Sequence, residues 1–338
     1  MKPLLLLLLL SVGPLARGSD FPDSGDESPA VILVVGAAGE KGYGVIFTSW
    51  AKLWEAACRT AKAPLTTIGL DQLGQTNQTN QVERANQTND VDLLKAALDQ
   101  QPKEGERERW IVLLGHGTFD GKEAKFNLRG PDLSATNLAT WLEPFQRPLA
   151  VINTASASGP FLAKLSRPGR VIITATRSGY EQNYARFGQY FSAAISDLKA
   201  DLDKDGQVSL LEAFLMAAHQ VAEFYTTEGR LATEHALIDD NGDGLGTPAD
   251  WFRGIRAVKK PAQGASLDGL RAHQFNLIRS EAERLLSPAL RSRRNELELA
   301  VMQLRESKES MPVDEYYNQL EKLLLDLAHL YESAEKKE

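Results

Sequence analysis

Short apolar runs alternate with amphipathic helical patterns along the first two hundred residues of the chain. The runs are rich in β-branched residues, which is typical of strands buried on both faces of a sheet. They lie at 31–36, 66–68, 110–114, 149–153 and 171–175. Helical spacing of apolar residues separates two pairs of them, at 46–62 and 90–100. The alternation predicts an α/β fold over residues 30–200, a three-layer sandwich with a mostly parallel sheet.

Two further helical patterns occupy residues 266–338, which we expect to form a helical hairpin. Ser287 and Pro288 combine an N-cap residue with a proline, so a helix is predicted to start there. The apolar stripes of the two helices are Leu290, Leu297, Val301 and Leu304, and then Val313, Tyr317, Leu320, Leu324, Leu327 and Tyr331 at heptad spacing. Packing within the hairpin or on the core explains these stripes. Self-association, or a protein partner bound through these helices, is the alternative.

The N-terminus has the pattern of an export signal. A lysine precedes the leucine run at 4–10, and small residues follow at 16 and 18, which is typical of a signal peptide over 1–18. The run is too short to span a bilayer as a stable anchor, although an uncleaved N-terminal anchor remains the alternative. Residues 19–29 are acidic and predict a flexible tether. We therefore expect a secreted or periplasmic protein without a transmembrane anchor after cleavage.

The composition and charge of the chain limit the classes of partner and of metal site that it can have. The 338 residues are 43% hydrophobic and carry a net charge of −7, which argues against a non-specific nucleic-acid partner. The single cysteine, Cys58, excludes an intramolecular disulfide and a zinc site built on several thiolates. Its helical Ala-Ala-Cys context predicts a buried, inert thiol. Asn77 and Asn86 begin patterns that fit N-glycosylation acceptors.

A twelve-residue acidic segment at 201–212 matches the calcium loop of EF-hands. Oxygen donors occupy the ligand positions 1, 3, 5, 7, 9 and 12: Asp201, Asp203, Asp205, Gln207, Ser209 and Glu212. Gly206 permits the sharp turn that the motif needs at its sixth position. Helices are expected on both sides, at 191–198 and 210–225. The spacing predicts that Ca²⁺ is bound here as a cofactor.

A second segment, at 239–250, matches the same motif at its start. The candidate ligands are Asp239, Asn241, Asp243, the carbonyl of Leu245, and Asp250. Its end departs from the motif, because Gly246 replaces an apolar residue and Pro248 opposes a following helix. The two loops together predict an EF-hand-like calcium-binding segment over 195–255. An exported protein meets millimolar calcium, so structural calcium is favoured over signalling.

Two motifs that could support catalysis follow consecutive predicted strands. His116 and Gly117 come directly after the run at 110–114, and Ser156 lies within the sequence TASASG at 154–159. If these strands are neighbours, a spacing of about 4.8 Å brings the two side chains within hydrogen-bonding reach. A histidine can then remove the serine proton, and the N–H of Gly117 can stabilise an oxyanion. On the pattern alone, ordinary turn chemistry explains both motifs equally well.

The order of these motifs resembles the caspase-hemoglobinase fold, and most closely the legumain (asparaginyl endopeptidase) family. In that family one strand ends in His-Gly and the next in Glu-Ala-Cys-x-Ser-Gly. The resemblance covers about residues 30–200 and places His116 at the general-base position. Ser156 stands where the family has its nucleophilic cysteine, and Thr154 replaces an acidic residue that helps line the specificity pocket.

The exchange of cysteine for serine changes the expected activity. A thiol ionises near pH 8.5 with little help, whereas a serine hydroxyl needs a base that is itself held in place by a third group. We therefore expect a weakly active or inactive peptidase-like protein that binds polypeptide. An active hydrolase using a His116–Ser156 dyad is the alternative. Candidate cleft residues follow the fifth run and are Arg177, Ser178 and Glu181, with Asn183 and Arg186 beyond them, unless these are simply solvated loop residues.

Overall fold

The computed structural model describes residues 28–70, 89–264 and 266–335. The predicted signal peptide, nearly all of the tether and both candidate glycosylation sites lie outside the described residues. Within those three ranges, no helix is long and apolar enough to cross a membrane.

Strands and helices alternate along most of the chain. The strands are β1 (Ala30–Val35), β2 (Leu65–Ile68), β3 (Arg109–Leu114), β4 (Gly117–Phe119), β5 (Ala124–Phe126), β6 (Leu133–Ser134), β7 (Leu149–Asn153), β8 (Arg170–Thr174), β9 (Leu237–Asp239), β10 (Thr247–Pro248), β11 (Phe252–Arg253) and β12 (Arg256–Ala257). The helices are α1 (Lys41–Ala61), α2 (Asp90–Asp99), α3 (Ala135–Leu142), α4 (Gly159–Leu165), α5 (Phe187–Ala194), α6 (Leu210–Thr227), α7 (Leu270–His273), α8 (Glu281–Leu285), α9 (Pro288–Glu306) and α10 (Val313–Glu335). Single 3₁₀ turns cover 249–251 and 308–310.

The main sheet has the strand order β10-β9-β8-β7-β3-β1-β2. Strands β2, β1, β3, β7 and β8 are parallel, whereas β9 and β10 pair antiparallel at one edge. The predicted mostly parallel sheet is confirmed. The strands that precede His116 and Ser156, β3 and β7, are direct neighbours, with Leu113 opposite Asn153.

Helices cover both faces of this sheet, as the three-layer prediction requires. Alternate residues of β1 enter two separate cores, which is why the strand reads as a continuous apolar run. Helices α1, α5 and α6 complete one core, and α2, α3 and α4 complete the other. Trp54 and Trp110 are fully buried in the first core, with ring centroids 6.4 Å apart. Truncating either to alanine is expected to cost about 3–5 kcal/mol.

Several boundaries differ from the sequence predictions. Helix α1 begins at Lys41, one turn earlier than the apolar spacing indicates. The helix expected at 191–198 is α5, which starts at Phe187 and ends at Ala194. A small antiparallel sheet of β4, β5 and β6 follows His116 and was not predicted, because its strands have only two or three residues.

The C-terminal helices start and pack as expected, but only in part through the predicted stripe. The hydroxyl of Ser287 caps α9 by accepting the N–H of Leu290, and α9 packs against α10. Leu297, Val301 and Leu304 are buried, as predicted. On α10 the buried residues are Tyr316 and Leu330, whereas Val313, Tyr317, Leu324 and Tyr331 are 44–68% exposed. Leu320 and Leu327 of the predicted seam are half-buried, so the packed face of α10 contains part of that seam and is rotated away from the rest.

Candidate functional site

The hydroxyl of Ser156 lies against the residue that follows His116. It donates a hydrogen bond to the carbonyl of Gly117 (3.1 Å) and accepts one from the N–H of Gly117 (3.3 Å). Ser156 is 4% exposed. A Cβ at position 117 would lie 2.2 Å from the carbonyl oxygen of Ser156, so this close approach requires glycine. The two motifs meet at the carboxyl edge of the sheet, as their strand positions predicted.

The imidazole of His116 packs among aromatic rings. Its centroid lies 4.5 Å from that of Tyr43, 5.0 Å from Phe47 and 6.1 Å from Tyr184, each in an edge-on arrangement. Burial lowers the pKa of His116, and the charge of Glu40 opposes this in part. Both His116 and Ser156 lie in the described part of the chain, and no hydrogen bond joins their side chains there.

The segment around Ser156 turns sharply. Ala157 has a φ of 54°, in the left-handed region, and its N–H donates to the carbonyl of Glu181 (2.8 Å). Thr154 is fully buried, and its hydroxyl donates to the carbonyl of Leu113 (2.9 Å). A Cβ at position 188 would approach the Thr154 hydroxyl to 2.7 Å, which leaves room only for Gly188. Thr154 therefore lies beneath the cleft and offers no surface to a substrate.

Glu181 organises the loop that follows β8. Its carboxylate accepts the N–H of Arg177 (3.0 Å) and pairs with the guanidinium of the same residue (3.1 Å). It also contacts His235, through the N–H (3.1 Å) and ring atom Nδ1 (2.6 Å). Ser178 is half-buried beside this cluster, and Asn183 is exposed. His235 escaped the sequence analysis because it lies 54 positions after Glu181.

Arg186 belongs to the packing around this loop. Its guanidinium lies 3.9 Å from the ring centroid of Phe224, a cation–π contact. Its N–H donates to the carboxylate of Glu234 (2.8 Å). Burial raises the pKa of Glu234. These contacts give Arg186 a structural role next to the cleft.

The first acidic loop, residues 201–212, gathers its early carboxylates. One oxygen from each of Asp201, Asp203 and Asp205 lies within 4.8 Å of the others. The carboxylate of Asp201 accepts N–H groups from Lys204 (2.6 Å) and Gly206 (3.1 Å). Three hard oxygen donors thus lie close together, which is part of the set of six to eight oxygens that a calcium ion takes.

Glu212 closes this loop from the first turn of α6. Its carboxylate accepts the N–H groups of Leu202 (2.7 Å) and Ser209 (2.9 Å), while the hydroxyl of Ser209 caps the helix. One oxygen of Glu212, one of Asp203 and a ring nitrogen of His273 lie within 4.8 Å of one another. Asp203 therefore belongs to two groups of possible ligands, one with Asp201 and Asp205 and one with Glu212 and His273.

Groups outside the loop hold it against the C-terminal part of the chain. Atom Nε2 of His273 lies 2.9 Å from Oδ2 of Asp203. The side chain of Gln207 donates to Asp205 (2.9 Å) and accepts the N–H of Ser280 (3.1 Å). These contacts leave the main-chain carbonyl of Gln207 as its candidate ligand atom, in keeping with position 7 of the motif.

The second acidic loop has the same backbone pattern at its start. The carboxylate of Asp239 accepts the N–H groups of Gly242 (2.9 Å) and Gly244 (2.8 Å), three and five residues ahead, as Asp201 does. The side-chain oxygen of Asn241 accepts the N–H of Asp243 (2.9 Å). Burial raises the pKa of Asp239. The early positions of this loop therefore also fit a cation.

The second loop does not close in the same way. The N–H of Leu245 donates to Asp243 (2.8 Å), and Thr247–Pro248 then pairs with β9 as strand β10. Asp250 is exposed in the 3₁₀ turn at 249–251. In the described ranges, no group of three or more metal-ligating histidine, cysteine or acidic side chains includes Asp250. The structure therefore does not bring Asp250 to the loop that begins at Asp239.

Two buried carboxylates tie the second loop to α7. Asp240 accepts the N–H groups of Gly269 (2.9 Å) and Ala272 (2.7 Å). Asp268 accepts the N–H of Asp240 (3.0 Å) and the hydroxyl of Thr247 (2.6 Å). Burial, followed by the charge of Asp240, raises the pKa of Asp268 to about 8. Neither residue was recognised from the sequence, because their partners are distant along the chain.

Cys58 takes no part in either site. It is buried in helix α1, and burial, followed by the charge of Glu55, raises the pKa of its thiol to about 12. A thiol with so little thiolate is a poor nucleophile at neutral pH. The prediction of a buried thiol is confirmed.

Of the comparisons with known proteins, the search of solved structures finds matches. Neither a scan against models of known protein families nor a search of curated protein sequences finds a match. Among solved structures, the chain is similar to the crystal structure of the Drosophila initiator caspase Dronc, with 13% sequence identity and a TM-score of 0.38. The similarity covers 70% of this chain and 93% of that chain. A likeness of this degree leaves the function to be argued from the geometry of the site.

Proposed function

We propose that the chain is an exported calcium-binding protein whose peptidase-like domain binds polypeptide and cuts it weakly or not at all. The expectation of weak or absent cleavage rests on the hydrogen bonding of Ser156. Its hydroxyl donates to one backbone atom of Gly117 and accepts from another, at 3.1 and 3.3 Å.

A serine becomes a nucleophile only when a base takes its proton in the transition state. Here the proton of Ser156 is directed to a carbonyl oxygen, which is not a base at neutral pH. The imidazole of His116 packs against three aromatic rings, and burial lowers its pKa, which weakens it as a base. Activation of Ser156 would require both side chains to rearrange.

The edge that holds Ser156 nevertheless offers groups to a polypeptide. Tyr180 is 77% exposed and packs edge-on against Phe119, with centroids 5.2 Å apart. The side chain of Arg177 is largely exposed although it pairs with Glu181. An exposed aromatic ring next to a charged group is typical of surfaces that bind other polypeptides. These groups support binding at the sheet edge without requiring chemistry there.

The calcium half of the proposal rests on the two acidic loops. Both place side-chain oxygens of positions 1, 3 and 5 along the same turn, and Glu212 closes the first. Ions bound at these positions would neutralise clustered carboxylates and stabilise the fold by mass action. The N-terminal export pattern favours a compartment in which calcium is abundant, so both loops would be filled constitutively.

A peptide library assayed with the mature protein in calcium tests the lack of catalysis. The expected result is that any turnover is equal in the wild-type protein and in His116→Ala. Turnover that is lost in His116→Ala would instead establish the alternative function, an active hydrolase. That alternative is supported by the N–H of Gly117, which lies 3.3 Å from the Ser156 oxygen and would have to turn from it to the oxyanion of an attacked carbonyl.

A second variant tests whether the site at Ser156 lacks only a suitable nucleophile for peptidase activity. We expect Ser156→Cys to gain thiol-dependent peptidase activity, because a thiolate forms with less help than an alkoxide. Cys58→Ala is the background for this measurement, so that position 156 holds the single thiol. A Ser156→Cys protein that reacts with thiol reagents but cleaves no peptide would contradict the peptidase-like interpretation of this edge.

A further inference from the structure

A cavity of about 700 Å³ lies between the first acidic loop and the C-terminal helices. We call it the loop–hairpin cavity. The part of its lining that matters here consists of Asp203, Asp205, Asn276, Leu286, Glu298 and Tyr331. It is separate from the edge that holds Ser156, and neither His116 nor Ser156 lines it.

Three side chains with hydrogen-bond donors on the walls of the cavity already have acceptors. The side-chain amide of Gln207 donates to Asp205 (2.9 Å), and that of Gln274 donates to Glu298 (3.0 Å). The guanidinium of Arg294 is bound to the carboxylate of Glu283 (2.9 Å). A ligand that needed donors from these three side chains would have to break contacts that already exist.

Acceptors on the walls remain in excess. Four carboxylates line the cavity against one guanidinium, so its charge is negative. Asn276 is 4% exposed, and its side-chain oxygen has no hydrogen-bond partner among the residues that the structure describes. A buried polar atom without a partner costs free energy, which a donor supplied by a ligand would recover. A ligand that complements these acceptors is therefore a cation with several N–H donors.

Apolar side chains also line the cavity. Leu286 is buried there, whereas Leu285 is 64% exposed. Tyr331 lines the cavity too and is 44% exposed. A flat cation with an aliphatic stem suits an aromatic ring and leucine side chains better than a compact, strongly hydrated ion does.

We propose that the loop–hairpin cavity binds an arginine side chain presented by a polypeptide. The guanidinium carries five N–H donors in a fixed plane, enough to serve Asp203, Asp205 and the orphaned oxygen of Asn276 together. Its methylene stem lies along Leu286, and apolar residues beside the arginine cover the exposed Leu285. Asp203 and Asp205 are also candidate calcium ligands of the first loop, so an ion bound there would compete with the arginine side chain for them. The state of Ser156 does not enter this inference.

Calorimetry with a blocked pentapeptide, acetyl-Ala-Leu-Arg-Leu-Ala-amide, tests this site in the full chain. The buffer contains EDTA, so that the carboxylates of the acidic loop are free of metal. The comparison peptide carries citrulline, a neutral isostere, in place of arginine. We expect the citrulline peptide to bind about tenfold more weakly or worse, because hydrogen bonds to charged groups contribute more than neutral ones. Equal affinities, or no binding of the arginine peptide, would overturn the proposal.

Two isosteric variants locate the binding. Asp205→Asn and Glu298→Gln each remove one charge from the lining of the cavity, and each should weaken binding of the arginine peptide about threefold or more. Asp314→Asn is the matched control, since Asp314 is exposed at the start of α10 and does not line the cavity. An unchanged affinity in either cavity variant would refute the location. Circular dichroism of each variant checks its fold, and the two-peptide comparison with wild-type protein needs no variant at all.

Discussion

The two acidic loops share their first half and differ in their second. In both, the aspartate at position 1 accepts N–H groups from residues three and five positions ahead. In the first loop Ser209 and Glu212 then form a capping box that starts the 18-residue helix α6. In the second, the chain enters the two-residue strand β10 and a single 3₁₀ turn. The turn at the start of each acidic loop is therefore fixed by local contacts, whereas a closing carboxylate depends on the element that the chain enters next.

The two loops end differently because a long helix, α6, starts within the first loop, whereas a strand and a 3₁₀ turn lie at the end of the second. A capping box fixes Glu212 so that its carboxylate faces back over the loop. Pro248 cannot supply the N–H that a continuing helix would need, and the strand pairing with β9 carries Asp250 outward. We therefore expect a tight first site and a weak second site. Four measurements test that contrast, from the largest expected effect to the smallest.

Removing the closing carboxylate of the first loop should have the largest effect. Glu212→Gln loses a ligand oxygen with its charge, so calcium affinity at the first site is expected to fall about 100-fold or more. Glu223→Gln, on the exposed face of the same helix, is the control. Calorimetric titration measures both variants. A Glu212→Gln protein with wild-type affinity would show that Glu212 serves only as a helix cap.

Substitutions at position 1 of each loop should separate two binding events. Asp201→Ala should abolish the tighter event, and Asp239→Ala the weaker one, while the remaining event stays within about threefold of its wild-type affinity. The same calorimetric titration counts the events. If Asp239→Ala removed the tighter event, the ranking of the two loops would be reversed.

Thermal unfolding measures how much each of the two sites adds to the stability of the folded protein. A ligand present at 100 times its Kd stabilises the folded state by about 2.7 kcal/mol, so the tighter site should supply most of the calcium-dependent rise in Tm. Asp201→Ala should therefore lose more of this rise than Asp239→Ala does. Scanning calorimetry with and without calcium gives the result, and equal losses would argue for sites of equal strength.

The smallest effect is expected at Asp250. Asp250→Asn should leave calcium affinity at the second site within about twofold, because this exposed side chain lies outside the loop. A tenfold loss of affinity in the calorimetric titration would mean that the 3₁₀ turn refolds around the ion. The two loops would then close alike, and the contrast between them would be lost.

The strands and their neighbours could be predicted because the signal is local and repeated. Each buried strand reads as an apolar run, and the alternation with helices implies the parallel order that places Ser156 beside Gly117. The contacts of the His116 and Ser156 side chains could not be predicted in this way. The imidazole of His116 packs against Tyr43 and Tyr184, which are far apart along the sequence.

The C-terminal helices show a second limit of the sequence. Heptad spacing selects an apolar face on α10, but the buried residues Tyr316 and Leu330 lie beside that face, and only Leu320 and Leu327 of the predicted stripe are half-buried with them. Which face of α10 packs is decided by the surface of α9, which periodicity does not encode. His235 and Asp268 were missed for a related reason, since each acts through partners far along the chain.

Helix α7 is bound at both of its ends. At its start, the carboxylate of Asp240 in the second loop accepts two backbone N–H groups. At its end, the side chain of His273 contacts the carboxylate of Asp203 in the first loop. This short helix is thus a shared anchor through which both acidic turns hold the C-terminal fifth of the chain. Chelation should consequently expose the arginine-rich stretch at 271–294 to trypsin well before the sheet domain is attacked, and calcium should delay that first cut.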